Sequence, residues 1–424
     1  MTDLFLPDTQ DIASIERRGG GAGEPAAHPV PSPRLAYSDA RTAILHGDVR
    51  ASLRTLPASC VDCIVTSPPY WGLRDYGLPP QVWDGKPGCE HHWNEEAGTR
   101  CSNCGAWLGQ LGLEPSPELY VSHMVDLFRE LRRVLKPQGT MWINLGDCYN
   151  AGTNAPRAAS SNRVGYWQAA GSMGDRRVKA AGLKPKDLVG IPWRVALALQ
   201  ADGWYLRSDV IWSKPNPVPE GVRDRPVRAH EYLFLLSKEP RYFYDAEAVR
   251  EVAGSNSSDK DVRARDNTSR RGHAQRSVWS IPTQRYHKAH FATFPERLVE
   301  PCILAGTSAA GCCPFCGRAW ERTVCVRYAN PGNRSSNGPR SLERRHQSPG
   351  FPKRLIRLVQ GQAWQPACNC GRPPIPATVL DPFAGSGTTL AVARRLGRRT
   401  TGIELSADYV DLARERVRAT SVHS

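Results

Sequence analysis

Apolar residues recur along this chain at two alternating periods, one typical of strands and one typical of helices. Residues 61–66 (VDCIVT) and 140–145 (TMWINL) are short apolar runs that predict buried strands. Apolar residues recur at helical spacing over 116–136, and Pro137 and Gly139 end this predicted helix. The same analysis predicts strands over 43–48, 205–213 and 231–237, helices over 49–57 and 187–203, and a strand, turn, helix, strand and helix over 377–417.

The alternation of strands with helices predicts an α/β fold with a mostly parallel sheet and helices on both faces. The chain has 424 residues, enough for two or three structural units. No apolar run approaches the roughly 20 residues that span a bilayer. The acidic start MTDLFLPDTQ lacks the basic and then apolar pattern of a signal peptide. We therefore expect a cytosolic protein with no membrane partner.

A turn built from small residues follows the strand that ends at Asp381. The turn comprises Asp381, Pro382, Phe383, Ala384, Gly385, Ser386, Gly387 and Thr388. Glycines allow a ligand to approach the backbone, and the next helix offers its free N–H groups. Glu404 closes the following strand, where a carboxylate suits the hydroxyls of a ribose. The unit predicts a nucleotide-like cofactor, with an ordinary strand-to-helix connection as the alternative.

Charge and cysteine usage narrow the choice of partners. The chain carries 56 Lys and Arg against 41 Asp and Glu, a formal net charge of +15. Such a surplus favours a polyanion such as nucleic acid through counterion release, although an arginine-favouring genome would also produce it. Several of the 13 cysteines lie in closely spaced pairs, which in a reducing compartment favours metal ligation over disulfides.

Two motifs give the chain a resemblance to a known family. DPFAGSGTT at 381–389 resembles the cofactor motif of amino-group DNA methyltransferases, and TSPPYW at 66–71 resembles their catalytic motif. The order, with the catalytic motif first, is similar to the circularly permuted β class. HFATFP at 290–295, which contains Phe291, resembles the segment that packs on the methionine end of the cofactor, and 211–238 resembles the stretch after the catalytic strand.

The resemblance implies a Rossmann-like class I S-adenosylmethionine-dependent methyltransferase fold, with S-adenosylmethionine as cofactor and double-stranded DNA as partner. An exocyclic amine is a poor nucleophile because its lone pair is delocalised into the ring. The Ser67 hydroxyl and the Pro68 carbonyl can accept its N–H groups and localise that lone pair, while Pro69 stiffens the loop. Tyr70 can stack on a base that has left the duplex.

The identity of the base and one cofactor contact stay open at this point. In this family a serine in the first motif position is mostly found in cytosine-N4 enzymes, so Ser67 favours N4-cytosine, with adenine-N6 as the alternative. Asp48 resembles the acidic residue that contacts the adenine side of the cofactor, but it could equally be a helix N-cap. A cytosine-C5 enzyme would need a nucleophilic cysteine, and Cys302 does not follow a suitable strand.

Two cysteine-rich inserts predict small zinc ribbons. Their predicted ligands are Cys89, His91, Cys101 and Cys104 in the first insert, and Cys313, Cys316, Cys368 and Cys370 in the second. Four nitrogen or sulfur ligands are the set that tetrahedral structural zinc prefers. His91 is chosen over His92 because similar phage-type methyltransferases carry a C-x-H-x-W pattern, and Cys312 could replace Cys313. Free thiols on loops are the alternative.

Composition divides the chain into segments. Among them, the basic loops would recognise the DNA sequence, because their residue types serve phosphate contacts and base-edge hydrogen bonds. Rival functions are a zinc-bearing DNA-binding module, which would not need both motifs, and a glutamine methyltransferase, whose glycine-rich motif comes first. The predicted segments are a disordered tail (1–36), the first catalytic part (37–88), a zinc ribbon (89–110), the second catalytic part (111–249) with a loop at 150–186, a basic loop (250–280), a cofactor-packing helix region (281–303), the second insert (304–374), which includes a basic loop at 327–359, and the cofactor-binding part (375–424).

Overall fold

A computed structural model describes residues 32–93, 99–150, 182–252, 272–284, 294–329 and 356–422. The predictions for most of the N-terminal tail, for Phe291 and for the greater part of the three basic loops lie outside these residues.

The strands and helices follow the predicted alternation. They are β1 (Arg34–Ser38), β2 (Thr42–His46), α1 (Val49–Thr55), β3 (Val61–Thr66), β4 (Gln81–Trp83), β5 (Trp107–Gly109), α2 (Pro117–Val134), β6 (Leu135–Leu145), α3 (Ile191–Ala201), β7 (Tyr205–Ser213), β8 (His230–Ser237), β9 (Glu251–Val252), β10 (Gly272–His273), β11 (Val278–Ser280), α4 (Glu296–Gly306), β12 (Glu321–Ala329), β13 (Ile356–Gln365), β14 (Thr378–Asp381), α5 (Thr388–Arg395), β15 (Arg399–Glu404) and α6 (Ala407–Arg418).

Nine strands form the main sheet in the order β1-β2-β15-β14-β3-β6-β8-β7-β11. The five central strands from β2 to β6 run parallel, and β8 pairs antiparallel with both of its neighbours. Helices cover both faces. Within β3, Ile64 joins the core packed by α1, α2 and α3, whereas Cys63 and Val65 face α4 and α5. The predicted α/β architecture is therefore confirmed.

Two boundaries differ from the sequence prediction. Among the described residues the first strand is β1, which begins at Arg34 and pairs antiparallel with β2 at the edge of the sheet, whereas the first strand predicted from the sequence covers 43–48. The sequence of β1 does not alternate between apolar and polar residues, so it gave no signal of a half-buried strand. Strand β6 starts at Leu135, immediately after α2, and its pairing with β3 begins between Val61 and Leu135. No helix in the described part of the chain is long and apolar enough to cross a membrane.

The central strands define where a ligand would bind. From β14 the chain continues through α5 to β15 on one side, and from β3 it continues to β6 on the other side. The adjacent, parallel strands β14 and β3 are therefore followed by strands on opposite sides, so the order of strands in the sheet reverses between them. In open α/β sheets the crevice outside the carboxyl ends of the strands at such a point holds the ligand. Asp381 and Thr66 end these two strands.

Candidate active site

A side-chain hydrogen bond joins the two predicted motifs at the switch point. The Thr66 hydroxyl donates to Asp381 Oδ1 over 2.7 Å, and both residues are buried. Ser67, the first residue of the predicted catalytic motif, follows Thr66 directly. The sheet therefore places the serine at the same edge as the glycine-rich turn, although the two motifs lie near opposite ends of the chain.

Asp381 retains an acceptor that the protein does not use. Its Oδ1 also accepts from the Phe383 N–H (3.1 Å), but its buried Oδ2 has no hydrogen-bond partner among the described residues. The nearby Thr389 hydroxyl donates instead to the Val65 carbonyl oxygen (3.3 Å). Burial, opposed by the bond from Thr66, raises the pKa of Asp381 to about 6. An orphaned carboxylate oxygen fits a ligand that carries an ammonium, amino or hydroxyl group, as S-adenosylmethionine does.

The glycines of the turn have distinct roles. Gly385 has a φ of 50°, and nothing lies nearer than 4.0 Å to where its Cβ would be, so the turn stays open there. At Gly387 a Cβ would lie 3.0 Å from Ala413, so this glycine lets α5 approach α6. Glu404 accepts from the N–H groups of Gly385 and Ser406, both over 2.8 Å. Burial raises the pKa of Glu404 to about 7. A carboxylate can accept further hydrogen bonds beyond these two, and the predicted contact of Glu404 with a ribose stays a prediction.

Two hydroxyl residues of the turn are bound by an arginine of α6. Arg416 of α6 donates to the hydroxyls of Thr388 (2.8 Å) and Ser386 (3.4 Å). Both hydroxyls thus have a protein donor, and their predicted contact with the cofactor stays a prediction. Pro382 and Ala384 complete the turn, and Ala384 is buried. Their predicted contact with the cofactor stays a prediction.

Asp48 acts as a helix cap in this structure. Its side chain accepts from the Ala51 N–H (2.9 Å) at the start of α1 and pairs with Arg50 (3.0 Å). The preceding Gly47 donates its N–H to the Glu404 carbonyl oxygen (3.0 Å), so Asp48 lies beside the end of β15. Capping is thus observed, and the predicted contact of Asp48 with the cofactor stays a prediction. Phe291 lies outside the described residues.

The SPPY loop is held in place by the protein core. Ser67 and Tyr70 are partly exposed, and Pro68 is buried. The Tyr120 hydroxyl of α2 donates to the Pro69 carbonyl oxygen over 2.9 Å. The two prolines limit the backbone freedom of this segment, so the loop reaches its conformation before any ligand binds.

Two polar residues on neighbouring strands, Asn144 of β6 and Glu231 of β8, contact the Tyr70 hydroxyl, and no role was predicted for either of them. This hydroxyl donates to Glu231 Oε2 (2.9 Å), which also accepts from the Asn144 amide (2.6 Å). Lys214 pairs with the other carboxylate oxygen of Glu231. Burial and the Glu231 charge raise the pKa of Tyr70 well above its usual value. In the sequence, the signal that could have revealed Asn144 and Glu231 was the presence of an amide or charged residue inside the apolar runs of β6 and β8.

The structure brings together both predicted sets of metal ligands. In each set, Cys89, His91, Cys101 and Cys104 or Cys313, Cys316, Cys368 and Cys370, one ligand atom per residue lies within 4.8 Å of all the others. His91 Nδ1 lies 3.4 Å from the Cys104 sulfur, as expected for the choice of His91. Cys312 is not a member, because its buried sulfur accepts from Lys136 (3.4 Å). Backbone N–H donation from Cys316 lowers the pKa of Cys313 to about 6. Both sets are compatible with structural zinc.

Comparison with known proteins identifies the family. The chain matches the profile of the DNA methylase family (N6 and N4 type) over residues 61–324 and 329–415. It is 37% identical over 374 residues to the Type II methyltransferase M.SmaI of Serratia marcescens, covering 88% of this chain and 90% of that protein. It is also 37% identical to M.Cfr9I of Citrobacter freundii, covering 88% and 87%.

The solved structure of the PvuII DNA methyltransferase (cytosine-N4-specific) aligns with this chain with a TM-score of 0.48 at 15% identity. The alignment covers 92% of this chain and 90% of that one, and a likeness this remote supports no conclusion about this chain. The residues that the family profile matches include the SPPY loop and the glycine-rich turn described above. The chain therefore belongs to the family of DNA methylases that modify the amino group of a base.

Proposed function

We propose that this protein transfers a methyl group from S-adenosylmethionine to the exocyclic N4 amine of cytosine in duplex DNA, after the base has swung out of the helix. The observation that carries the proposal is the hydrogen bond between Thr66 and Asp381, which brings the SPPY loop to the glycine-rich turn. S-adenosylmethionine, when bound, supplies an electrophilic methyl group. Asp381, Gly385 and Glu404 would hold it.

The chain's own residues would activate the amine. Ser67 Oγ and the Pro68 carbonyl oxygen accept the two N–H groups, which draws the nitrogen lone pair out of the ring and toward the methyl carbon. The Tyr70 ring supports the face of the extruded base. Because these groups are held before the substrate arrives, little reorganisation is needed at the moment of transfer.

Two observations bear on which base and which atom are modified. Ser67 in the first motif position favours cytosine N4, and adenine N6 is the alternative for the same fold. A cytosine-C5 mechanism lacks support, because the Cys302 thiol lies fully buried in α4. Burial also raises its pKa well above the usual value, so it is a poor nucleophile.

The remaining parts of the proposal concern DNA contact, metal and location. The basic loops at 150–186, 250–280 and 327–359 are proposed to contact the duplex through phosphate and base-edge hydrogen bonds. The two ligand sets are proposed to bind one structural zinc ion each. The cytosol of a bacterial or phage-infected cell is the location expected from the sequence.

A methylation assay tests the proposal. Purified protein is incubated with duplex DNA and S-adenosylmethionine carrying a labelled methyl, and the digested nucleosides are analysed by mass spectrometry. N4-methylcytosine is expected, with a loss of about 10²-fold in rate for Ser67→Ala and none for Ser208→Ala, a serine on β7. N6-methyladenine would favour the alternative base, and 5-methylcytosine would contradict the proposed mechanism.

A further inference from the structure

We propose that Glu231 is a positioning residue for the methyl transfer: through Tyr70 it fixes the Ser67 hydroxyl as a hydrogen-bond acceptor toward the target amine, and through the same path it receives the proton that the amine loses. This inference rests on the proposed function, since it concerns the amine that Ser67 would bind. Neither the SPPY motif nor the membership of the family assigns a role to Glu231.

The three groups form one continuous chain of hydrogen bonds. Ser67 Oγ lies 3.1 Å from the Tyr70 hydroxyl oxygen, which lies 2.9 Å from Glu231 Oε2. Asn144 donates its amide hydrogens to both the Tyr70 oxygen and Glu231 Oε2. Residues from the SPPY loop, β6 and β8 therefore meet at one point, beside the predicted position of the amine.

Counting hydrogens fixes the direction of these bonds. A phenol oxygen has one hydrogen and can accept two hydrogen bonds, and an ionised carboxylate can only accept. The Tyr70 hydrogen must therefore point to Glu231. Asn144 fills one acceptor position of the Tyr70 oxygen, and the other takes the hydrogen of Ser67. The lone pairs of Ser67 Oγ then remain for the N–H of the amine, and the serine hydrogen cannot engage the nitrogen lone pair that must attack.

The charges around Glu231 suit this role. Lys214, which follows the end of β7, pairs with Oε1 and also lies 4.4 Å from the centre of the Trp212 ring. The side chains of Lys214 and Glu231 are 18% and 16% exposed, so the pair is shielded but still reaches solvent. Lys214 gives Oε1 of Glu231 a hydrogen-bond donor, so Oε2 is left to accept from Tyr70 and Asn144. The high pKa of Tyr70 keeps the phenol protonated.

The proton balance closes on these residues. The amine nitrogen uses its lone pair to bond the transferred methyl carbon, and the electrons of the broken carbon–sulfur bond stay on sulfur. The nitrogen then carries a positive charge, and one N–H bond breaks with its electrons staying on nitrogen. That proton passes to Ser67 Oγ while the Ser67 proton moves to Tyr70 and the Tyr70 proton moves to Glu231. Glu231 ends neutral and returns its proton to solvent after product release.

A double-mutant cycle tests the inference. Single-turnover rates of methyl transfer are measured for Glu231→Gln, Tyr70→Phe and the double variant, and the binding of S-adenosylmethionine and DNA is measured separately. Each single variant is expected to slow transfer about 10²-fold, with binding changed less than about twofold. The double variant is expected to be no slower than the slower single variant, because both changes break the same path.

Controls keep the result interpretable. Glu247→Gln removes a carboxylate of similar exposure (17%) that pairs with Arg250 at 3.5 Å, and it is expected to retain the full rate. Tyr70→Phe keeps both the aromatic ring and the pair of Glu231 with Lys214, so it tests the path even if Glu231→Gln disturbs folding. Wild-type rates for Glu231→Gln, or losses that multiply in the double variant, would overturn the role of Glu231. An inactive wild-type enzyme would instead refute the proposed function.

Discussion

At the scale of single residues, the position of the Tyr70 ring depends on a glycine in the neighbouring segment. A Cβ at Gly146 would lie 2.6 Å from Tyr70 Cε2, far inside van der Waals contact. Gly146 does not have a positive φ, so alanine fits the backbone there and the clash is the main effect. The lack of a side chain at Gly146 thus determines where the ring, and with it the Ser67 hydroxyl, can lie.

We predict that Gly146→Ala lowers the rate of methyl transfer about tenfold or more, because displacing the ring costs on the order of 1–3 kcal/mol. Gly221→Ala is the matched control, since nothing lies within 4 Å of its Cβ position and it also lacks a positive φ. Steady-state kinetics of both variants check the prediction. Equal rates for the two would show that the Tyr70 ring has more freedom than its contact with Gly146 implies.

A second residue-scale effect concerns the buried carboxylate of Asp381. Its pKa rises from an ordinary 3.8 to about 6 on folding, so the folded protein holds this proton more tightly than the unfolded chain. Stability from this group is therefore fully present below about pH 4 and is lost as the pH rises through about 6. Above that pH the buried charge costs about 2–3 kcal/mol, at 1.36 kcal/mol for each pKa unit.

Asp381→Asn is accordingly expected to raise the free energy of unfolding of the ligand-free protein by about 2 kcal/mol at pH 8 and to leave it unchanged near pH 4. Cofactor affinity is expected to fall, because the open acceptor Oδ2 becomes a donor. Denaturant unfolding at the two pH values, with dialysis against S-adenosylmethionine, measures both effects. A variant that is less stable at pH 8 would contradict this account of the buried charge.

At the scale of elements, both cysteine-rich inserts are tied to β-hairpins. The first ligand set lies in the connection between β4 and β5, and the second closes the base of the β12–β13 hairpin from both sides. Short two-stranded hairpins have little stability of their own. A metal ion at each ligand set would compensate for the small apolar area that these inserts bury.

Elemental analysis is expected to find two zinc ions per chain in the wild type and one in Cys104→Ser. Loss of the first ion is expected to lower the melting temperature by roughly 5 °C or more, because the ligands then no longer hold the insert. Cys325→Ser, which alters an exposed thiol outside both sets, is the control and is expected to keep both ions. A zinc-free wild type would refute the assignment.

The sequence predicted the elements well wherever burial imposed a clear period. Helix α2 (Pro117–Val134) has its apolar residues on one face, a serine N-cap and a proline in its first turn, and lies within the predicted 116–136. By contrast, β1 escaped prediction because an edge strand of mixed burial gives no clean alternation. The short strands β4, β5, β9, β10 and β11 were also missed, since each has only two or three residues. The longer β12 and β13 were missed as well, within the segment that the sequence assigned to the second cysteine-rich insert.

At the scale of the whole molecule, the sequence could predict which motifs meet but not which polar partners surround them. Parallel strands place their carboxyl ends at one edge, so the proximity of Ser67 and Gly385 followed from the fold class. The contact of Glu231 with Tyr70 depends on the antiparallel insertion of β8 between β6 and β7. That strand order is a tertiary property with no local signal, which is why the residues around the Tyr70 hydroxyl were found only in the structure.

The central claim is that Ser67 and the glycine-rich turn form the two sides of one methyl-transfer cleft. A crystal structure of the protein with S-adenosylmethionine bound tests it most directly. We predict the ribose at Glu404 and the transferable methyl within about 6 Å of Ser67 Oγ, the reach of one hydrogen bond plus one attack distance of about 3 Å each. A cofactor bound elsewhere, or with its methyl directed away from the SPPY loop, would contradict the account.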